Sequence, residues 1–231
     1  MKINIFQFLD GARQAHGLTV IIDVFRAFTV ACYVFRNGAK KIIPVQNVER
    51  ALKIRKENPG YIITGERYEK KVSGFDFGNS PSQIEKVDFT GKTVIQTTSA
   101  GTRGLVNAKK ASILITGSFV NADAIVRYIN NISPETVSLV AMGYSGKLPV
   151  DEDRFCAEYI RNSLEGRNTD FHSMVKKLKI GSGKRFFISE NKKHSPPNDF
   201  YLCTQKGIFD FILKAERNNS GMIELKKEIV K

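Results

Sequence analysis

The stretch Leu18–Val45, "LTVIIDVFRAFTVACYVFRNGAKKIIPV", decides how the chain is read. "LTVII" is a run of apolar and β-branched residues, the composition of a buried strand. Beyond the polar corner at Asp23, residues Ala27, Val30, Ala31, Val34 and Phe35 recur at helical spacing, and Asn37-Gly38 supplies a helix stop. "KKIIPV" is then a second strand. Strand, helix and strand in immediate succession predict a βαβ unit.

The pattern continues outward. "NVERALKIRKEN" reads as a helix opened by Asn47 and ended before Pro59, and "YIIT" as the strand after it. "TVIQT", "ASILITG" and "TVSLVAMG" are further strands, separated by helices near Thr102–Lys109 and Asn121–Asn130. Such alternation predicts an α/β protein whose mainly parallel sheet is covered on both faces. A faint echo between "TVIIDVFRAF…NGAKKIIPVQNVERA" and "TVIQTTSAGTRG…NAKKASILITGSFVNADA" is compatible with an internal βαβ duplication, in which Asp23 and Thr97 follow equivalent strands. Beyond about residue 150 the chain turns helical, and "GIFDFILKAERNNSGMIELKKEIV" reads as a hairpin around "NNSG". Residues 165–231 are expected either as a subdomain or as an edge hairpin on a single domain spanning 1–231.

Composition narrows the function. The chain has 231 residues, 42% of them hydrophobic, enough for a substantial core. It has no long apolar run, and "MKINIFQFLDGARQ" lacks the centre of a signal peptide, so a soluble cytoplasmic protein with no membrane partner is expected. Cys32, Cys156 and Cys203 are widely spaced, which predicts buried free thiols. With 36 basic and 23 acidic residues the formal charge is +13, a bias towards anions. The densest basic run, Met174–His194, sets Lys176, Lys177, Lys179, Lys184, Arg185, Lys192 and Lys193 against Glu190. It reads first as a solvated face, with a nucleic-acid-binding surface as the rival.

In open parallel sheets ligands bind beyond the carboxyl ends of strands, so the loops there carry the chemistry. The corner "IIDVFRA" places Asp23 at a strand end and Arg26 at a helix start; a plain cap, with Arg26 paired to Asp23, fits the same residues. "GERYEKKVSGFDFGNSP" is a long polar loop carrying Glu66, Asp76, Asn79 and Ser80, the last two also suited to starting a helix. "VIQTTSAGTRG" offers Thr97, Thr98, Ser99 and Thr102 hydroxyls, a close backbone approach at Gly101, and the planar fork of Arg103; it reads as an anion cradle. "GSFVNAD" adds Ser118 and Asn121 at another strand-to-helix step. In "DEDRFCAEYI", Asp151, Glu152 and Asp153 crowd a helix start, either as dipole-favoured charges or as hard oxygen ligands for Mg²⁺.

Several chemistries fail. "GSGKR" lacks the P-loop spacing, and no cysteine is followed by arginine at the distance a cysteine phosphatase needs. Asp23 is not followed two residues on by a second aspartate, and His16, His172 and His194 are scattered.

"IDVFRA", "NGAKKIIPV", "GER", "GFDFGNSP", "TTSAGTRG", "GSFVNA" and Glu152-Asp153 stand in the order seen in the 2-phosphosulfolactate phosphatases, the ComB family, which the chain resembles from about Leu18 to Ile160 and more weakly through "NDFYLCTQKGIFDF". The resemblance implies a three-layer α/β/α sandwich and a Mg²⁺-dependent phosphatase acting on a small 2-phospho carboxylate, foremost 2-phospho-3-sulfolactate of coenzyme M biosynthesis. Residue by residue it implies Asp23, Arg26 and Arg103 as catalytic and Asn79, Ser80, Thr97, Thr98, Ser99, Gly101, Thr102, Ser118 and Asn121 as substrate-binding. Metal-holding carboxylates are expected among Asp23, Glu66, Asp76, Glu152 and Asp153. Phe28 before Thr29, and Ser99-Ala100-Gly101 where the family often has Asn-Gly, bear on the substrate rather than on the reaction class. The expected partner is a small phosphorylated anion rather than nucleic acid, with a homodimer left open; a non-catalytic anion sensor on the same scaffold is the other alternative.

Overall fold

The computed structural model describes residues 1–231. Its strands are β1 (Lys2–Gln7), β2 (His16–Ile22), β3 (Lys41–Pro44), β4 (Ile62–Arg67), β5 (Lys70–Lys71), β6 (Thr93–Thr97), β7 (Lys110–Gly117), β8 (Thr136–Ala141), β9 (Phe211–Arg217) and β10 (Ile223–Ile229). The helices are α1 (Phe8–Gln14), α2 (Ala27–Arg36), α3 (Val48–Glu57), α4 (Pro81–Ile84), α5 (Gly101–Asn107), α6 (Ala122–Ile132), α7 (Asp151–Leu164), α8 (Phe171–Ile180) and α9 (Pro197–Cys203). Each expected strand is present. The sheet order is β1-β8-β2-β7-β9-β10-β3-β6-β4-β5, with five parallel and four antiparallel pairings.

Strand alternation sorts the apolar residues into layers. Leu18, Val20 and Ile22 of β2 join Ile125 and Ile129 of α6 and Ile160 of α7 on one face. Ile21 points the other way, into a core of α2 and α5 that also takes Ile42 of β3 and Val94 of β6. Ile43, Ile63 and Ile95 turn back to meet Ala51 and Ile54 of α3. The result is an α/β/α sandwich. All three cysteines are free and buried, as expected, and no helix is long and apolar enough to cross a membrane.

The hairpin, expected as an edge or a subdomain, does not lie at an edge. β9 and β10 occupy the middle of the sheet, between β7 and β3. Leu213 and Leu225 are fully buried in the same core as α2. The opposite face carries alternating charge, with Lys226 on Glu216 at 2.9 Å and Lys41 on Glu224 at 2.7 Å. This charged face is why "ELKKE" looks like an edge strand when read alone. The hairpin meets each half of the sheet through one paired position, Ile115 with Lys214 and Leu225 with Ile42.

Three successive antiparallel pairings, β7 to β9 to β10 to β3, reverse the sense of the β3-β6-β4 half relative to the β2 half. Yet the corner after β2 touches the corner after β6, since the Gly101 amide donates to Asp23 Oδ2 at 2.8 Å. The sheet therefore coils through the hairpin, in keeping with the accumulating twist of strands. Inside the coil α2 has no solvent side: Ala27 to Phe35 are all buried.

Gly65 registers with Thr97 where β4 pairs with β6, at a φ of 154°. A Cβ there would collide with the Thr97 carbonyl oxygen. Gly65→Ala is expected to lower the melting temperature by several degrees, as a strained backbone with a steric clash costs about 1–3 kcal/mol. Thermal denaturation followed by circular dichroism checks this, and an unchanged melt would contradict the packing described.

Candidate active site

The coil brings loops from both halves of the sheet to one cleft of about 520 Å³, a volume that includes open solvent. Asp23 follows β2, Glu66 lies near the end of β4, Ser99 follows β6, Gly143 to Ser145 follow β8, and Glu152 and Asp153 occupy the first turn of α7. Three of the carboxylates are fixed by backbone amides. Asp23 accepts from Ala27 at 3.1 Å and from Gly101 at 2.8 Å. Asp153 accepts from Val24 at 2.8 Å and Gly143 at 2.9 Å, and so ties the β2 and β8 corners together. Glu66 accepts from the Ser99 amide at 2.7 Å, the Ser99 hydroxyl at 3.2 Å and the Glu69 amide at 3.0 Å.

Glu152 differs from the others: it is 2% exposed and its Oε2 has no partner. Its other oxygen lies 3.6 Å from Arg185. Burial lifts the Glu152 carboxyl above its ordinary range against the pull of Arg185. Burial likewise lifts Asp23 to about 6, partly offset by its two amide hydrogen bonds. Asp153 is held well up by burial and then by the charges of Asp23 and Glu152. Crowded, desolvated carboxylates of this kind mark functional clefts more often than structural ones.

Two guanidinium groups face these carboxylates. Arg26, 3% exposed, donates to Asp199 Oδ2 and to the His194 carbonyl, both at 2.6 Å. Arg185 bridges Glu69 at 3.5 Å and Glu152, and donates to the Phe25 carbonyl at 3.3 Å.

Comparison with known proteins gives the chain a family. The family described as 2-phosphosulpholactate phosphatase matches residues 7–218. A Bacillus subtilis protein named "probable 2-phosphosulfolactate phosphatase" is 31% identical over 221 residues, covering 94% of this chain and 95% of its own. A Clostridium perfringens protein of the same name is 31% identical over 242 residues, covering 97% of each. The chain belongs to the 2-phosphosulfolactate phosphatase family. A Caldanaerobacter subterraneus relative of that name reaches 38% identity over 156 residues, 67% of this chain and 64% of its own.

The motifs by which the chain resembles the 2-phosphosulfolactate phosphatases divide on inspection. Asp23, Arg26, Glu66, Asn79, Ser99, Glu152 and Asp153 line the cleft together. Arg26 pairs with Asp199 and not with Asp23. The cradle drawn from Thr97 to Arg103 turns inward instead. Thr102 Oγ1 takes the Thr98 amide at 3.0 Å and donates to the Thr98 carbonyl at 3.1 Å, while Thr97 Oγ1 takes Arg67 at 2.8 Å. None of these hydroxyls lines the cleft. Gly101 is needed for a different approach, as a Cβ there would stand 2.8 Å from Asp23 Oδ2. Arg103 reaches the carbonyls of Ser99 and Ser145, each at 3.4 Å, and braces two loops from behind.

Others of the family's motif residues have structural work elsewhere. Ser118 and Asn121 cap each other, and Ser118 Oγ sits 2.6 Å from Thr29 Oγ1. Asp76 accepts from the Ile63 amide at 2.8 Å and pairs with Arg55 at 3.0 Å, apart from the carboxylate cluster. Ser80 donates to Asp199 at 2.8 Å. Sequence reasoning missed Arg185, Glu69, Tyr68 and Tyr144 in the cleft, and Asp199 behind it. Arg185 was present only as one charge in a basic run, and Asp199 only within the weaker "NDFYLCTQKGIFDF" match.

Proposed function

We propose that the chain is a Mg²⁺-dependent phosphoric monoester hydrolase acting on a small 2-phospho carboxylate, foremost 2-phospho-3-sulfolactate, in the cytoplasm. Family membership supports the reaction class. The observation that carries the reading is the meeting of Asp23, Glu66, Glu152 and Asp153 with Arg26 and Arg185 in one cleft.

No preformed group of three His, Cys, Asp or Glu side chains is set to hold a metal. The residues nevertheless fit Mg²⁺, which is commonly bound through one or two carboxylates, with substrate phosphate and water completing the shell. Glu152 Oε2 is a buried, unpartnered carboxyl oxygen, and the charges of Asp23 and Glu152 both favour protonation of Asp153. Glu152 and Asp23 would hold the ion. When bound, it supplies charge neutralisation at the phosphoryl oxygens and a polarised water.

The chain's own side chains supply the rest. Arg26 is held by Asp199 and lines the cleft with Arg185, both guanidiniums lying over the Phe186 ring, so both are placed to stabilise charge that grows as the ester bond breaks. Glu66 fixes the Ser99 loop, and Asp153 fixes Val24 and Gly143, which hold the cleft in shape without an incoming ligand. The test is phosphate release from 2-phosphosulfolactate, phospholactate, phosphoglycolate and p-nitrophenyl phosphate, with Mg²⁺ or EDTA. Metal-dependent turnover favouring the 2-phospho carboxylates is expected; no release from folded protein would end the reading.

Mg²⁺ binding has a readout without turnover. Asp23 titrates at about 6 in the folded chain against 3.8 ordinarily, so its contribution to stability is full below about 3.8 and is lost as pH rises through about 6. The ionised form costs on the order of 3 kcal/mol. Millimolar Mg²⁺ is therefore expected to raise the melting temperature more at pH 7.5 than at pH 5, and Glu152→Gln to reduce that shift. A larger shift at pH 5 would contradict the assignment.

A further inference from the structure

Glu69 stands on a turn that its sequence does not favour. β4 and β5 pair Arg67 with Lys70, which leaves Tyr68 and Glu69 as a two-residue loop with φ of 52° and 64°. Two left-handed residues in succession are the geometry for which Asn-Gly is the usual choice, and bulkier side chains adopt it at a cost. Tyr68 is 81% exposed, so it packs against little that would offset that cost. Strained residues of this sort persist where their surroundings hold them, and they cluster at functional sites.

What holds Glu69 is a set of contacts around the cleft. Its amide donates to Glu66 Oε2 at 3.0 Å, and its carbonyl accepts from Arg26 at 3.4 Å. One carboxylate oxygen lies 3.5 Å from Arg185, and the other accepts from the Ser195 hydroxyl at 3.5 Å. The segment between Arg185 and Ser195 is built of short 3-10 turns and leaves Ile188, Ser189, Glu190, Lys192 and Lys193 exposed. Glu69 therefore grips both ends of a segment with little regular structure of its own.

Arg185 is hydrogen-bonded to neither of its carboxylates. One guanidinium nitrogen lies 3.5 Å from Glu69 and another 3.6 Å from Glu152, both longer than the roughly 2.7–2.9 Å of a charge-assisted hydrogen bond. The group lies over the Phe25 and Phe186 rings, 5.7 and 5.3 Å from their centroids, and donates to the Phe25 carbonyl at 3.3 Å. The rings set its plane, and the two carboxylates, pulling on different nitrogens, set its place within that plane.

We propose that Glu69 is a positioning residue that acts through Arg185: its charge balances the pull of Glu152, so that the guanidinium stays open to the reacting phosphate, and its carboxylate keeps the Arg185–Ser195 segment at the cleft. This rests on the phosphatase reading and deepens it. A relaxed Asn-Gly turn would carry no carboxylate at this position, which accounts for the strain.

The test is a double-mutant cycle of Glu69→Gly and Arg185→Ala on phosphate release from 2-phosphosulfolactate with Mg²⁺. Glycine adopts a φ of 64° freely, so the turn keeps its shape and only the side chain is lost. Glu69→Gly is expected to lower kcat by roughly tenfold or more, with a smaller change in KM and a melting temperature no lower than the parent's. In the Arg185→Ala background it should cause no further loss. Parental turnover in Glu69→Gly, losses that add to those of Arg185→Ala, or a melting temperature that falls together with turnover would each overturn the proposal. No phosphate release by the parent would instead overturn the phosphatase reading. The positioning is then read without turnover, by a lysine-specific endoprotease cutting after Lys192 and Lys193: cutting several-fold faster in Glu69→Gly upholds it, and a parental rate overturns it.

Discussion

Asp23→Asn is expected to give a folded protein whose phosphate release is slower by about a thousandfold or more. The side chain keeps its size, and one amide oxygen can still accept from Gly101 at the present 2.8 Å. Its NH₂ group would face the Ala27 amide, now 3.1 Å from Asp23 Oδ1, so one hydrogen bond is lost. Against that loss, a buried charge beside Glu66 and Glu152 is removed, which relieves the strain that lifts the carboxyl to about 6. The melting temperature of the metal-free variant at neutral pH should therefore equal or exceed the parent's. Function needs the charge that stability would discard. Near-normal turnover in a well-folded Asp23→Asn protein would remove Asp23 from the chemistry altogether.

Asp199→Ala should have the largest effect on stability. The carboxylate is fully buried and takes Arg26 at 2.6 Å, the Ser80 hydroxyl at 2.8 Å, the Ser82 amide at 3.0 Å and the Ser82 hydroxyl at 2.5 Å. Removing it strands a buried guanidinium and three further donors. Breaking a buried pair from one side costs about 3–5 kcal/mol. For a chain of this size that corresponds to a drop of roughly 10 °C in melting temperature. Asp199→Asn, which keeps acceptor geometry for the serines but not the charge, should fall between, with turnover lost further than stability because Arg26 is no longer held. A melt for Asp199→Ala within about 2 °C of the parent would show that the pair contributes little.

The alternation of strands and helices was legible because each element buries a face, and burial imposes a period. Periodicity says which way a side chain points and not which strand lies beside it. The β9-β10 hairpin was thus recognisable as a hairpin, while its central position was not: one face carries the Lys226–Glu216 type of pairing that also characterises edges. The site divided for a similar reason. Asp23, Glu66, Glu152 and Asp153 stood out because carboxylates are rarely buried without purpose. Hydroxyls carry less information, since a threonine satisfies backbone as readily as ligand, and Thr98 with Thr102 does so here. Arg185 was hidden by its lysine neighbours, as charge density along a chain does not reveal which member turns inward.

The central hairpin bears on how the chain is made. Asp23 belongs to one half of the sheet and Glu66 and Ser99 to the other, and the strands that join those halves are the last two in chain order. During synthesis both parallel halves emerge from the ribosome while the β9-β10 seam is still missing. The nascent chain then carries the paired surfaces of β7 and β3 open until residues 211–229 arrive. Asp23, Glu152 and Asp153 belong to the first of those halves, where Asp153 joins the corners after β2 and β8, whereas Glu66 and Ser99 come from the other. A chain ended before residue 211 would therefore lack both strands that join the two walls of the cleft.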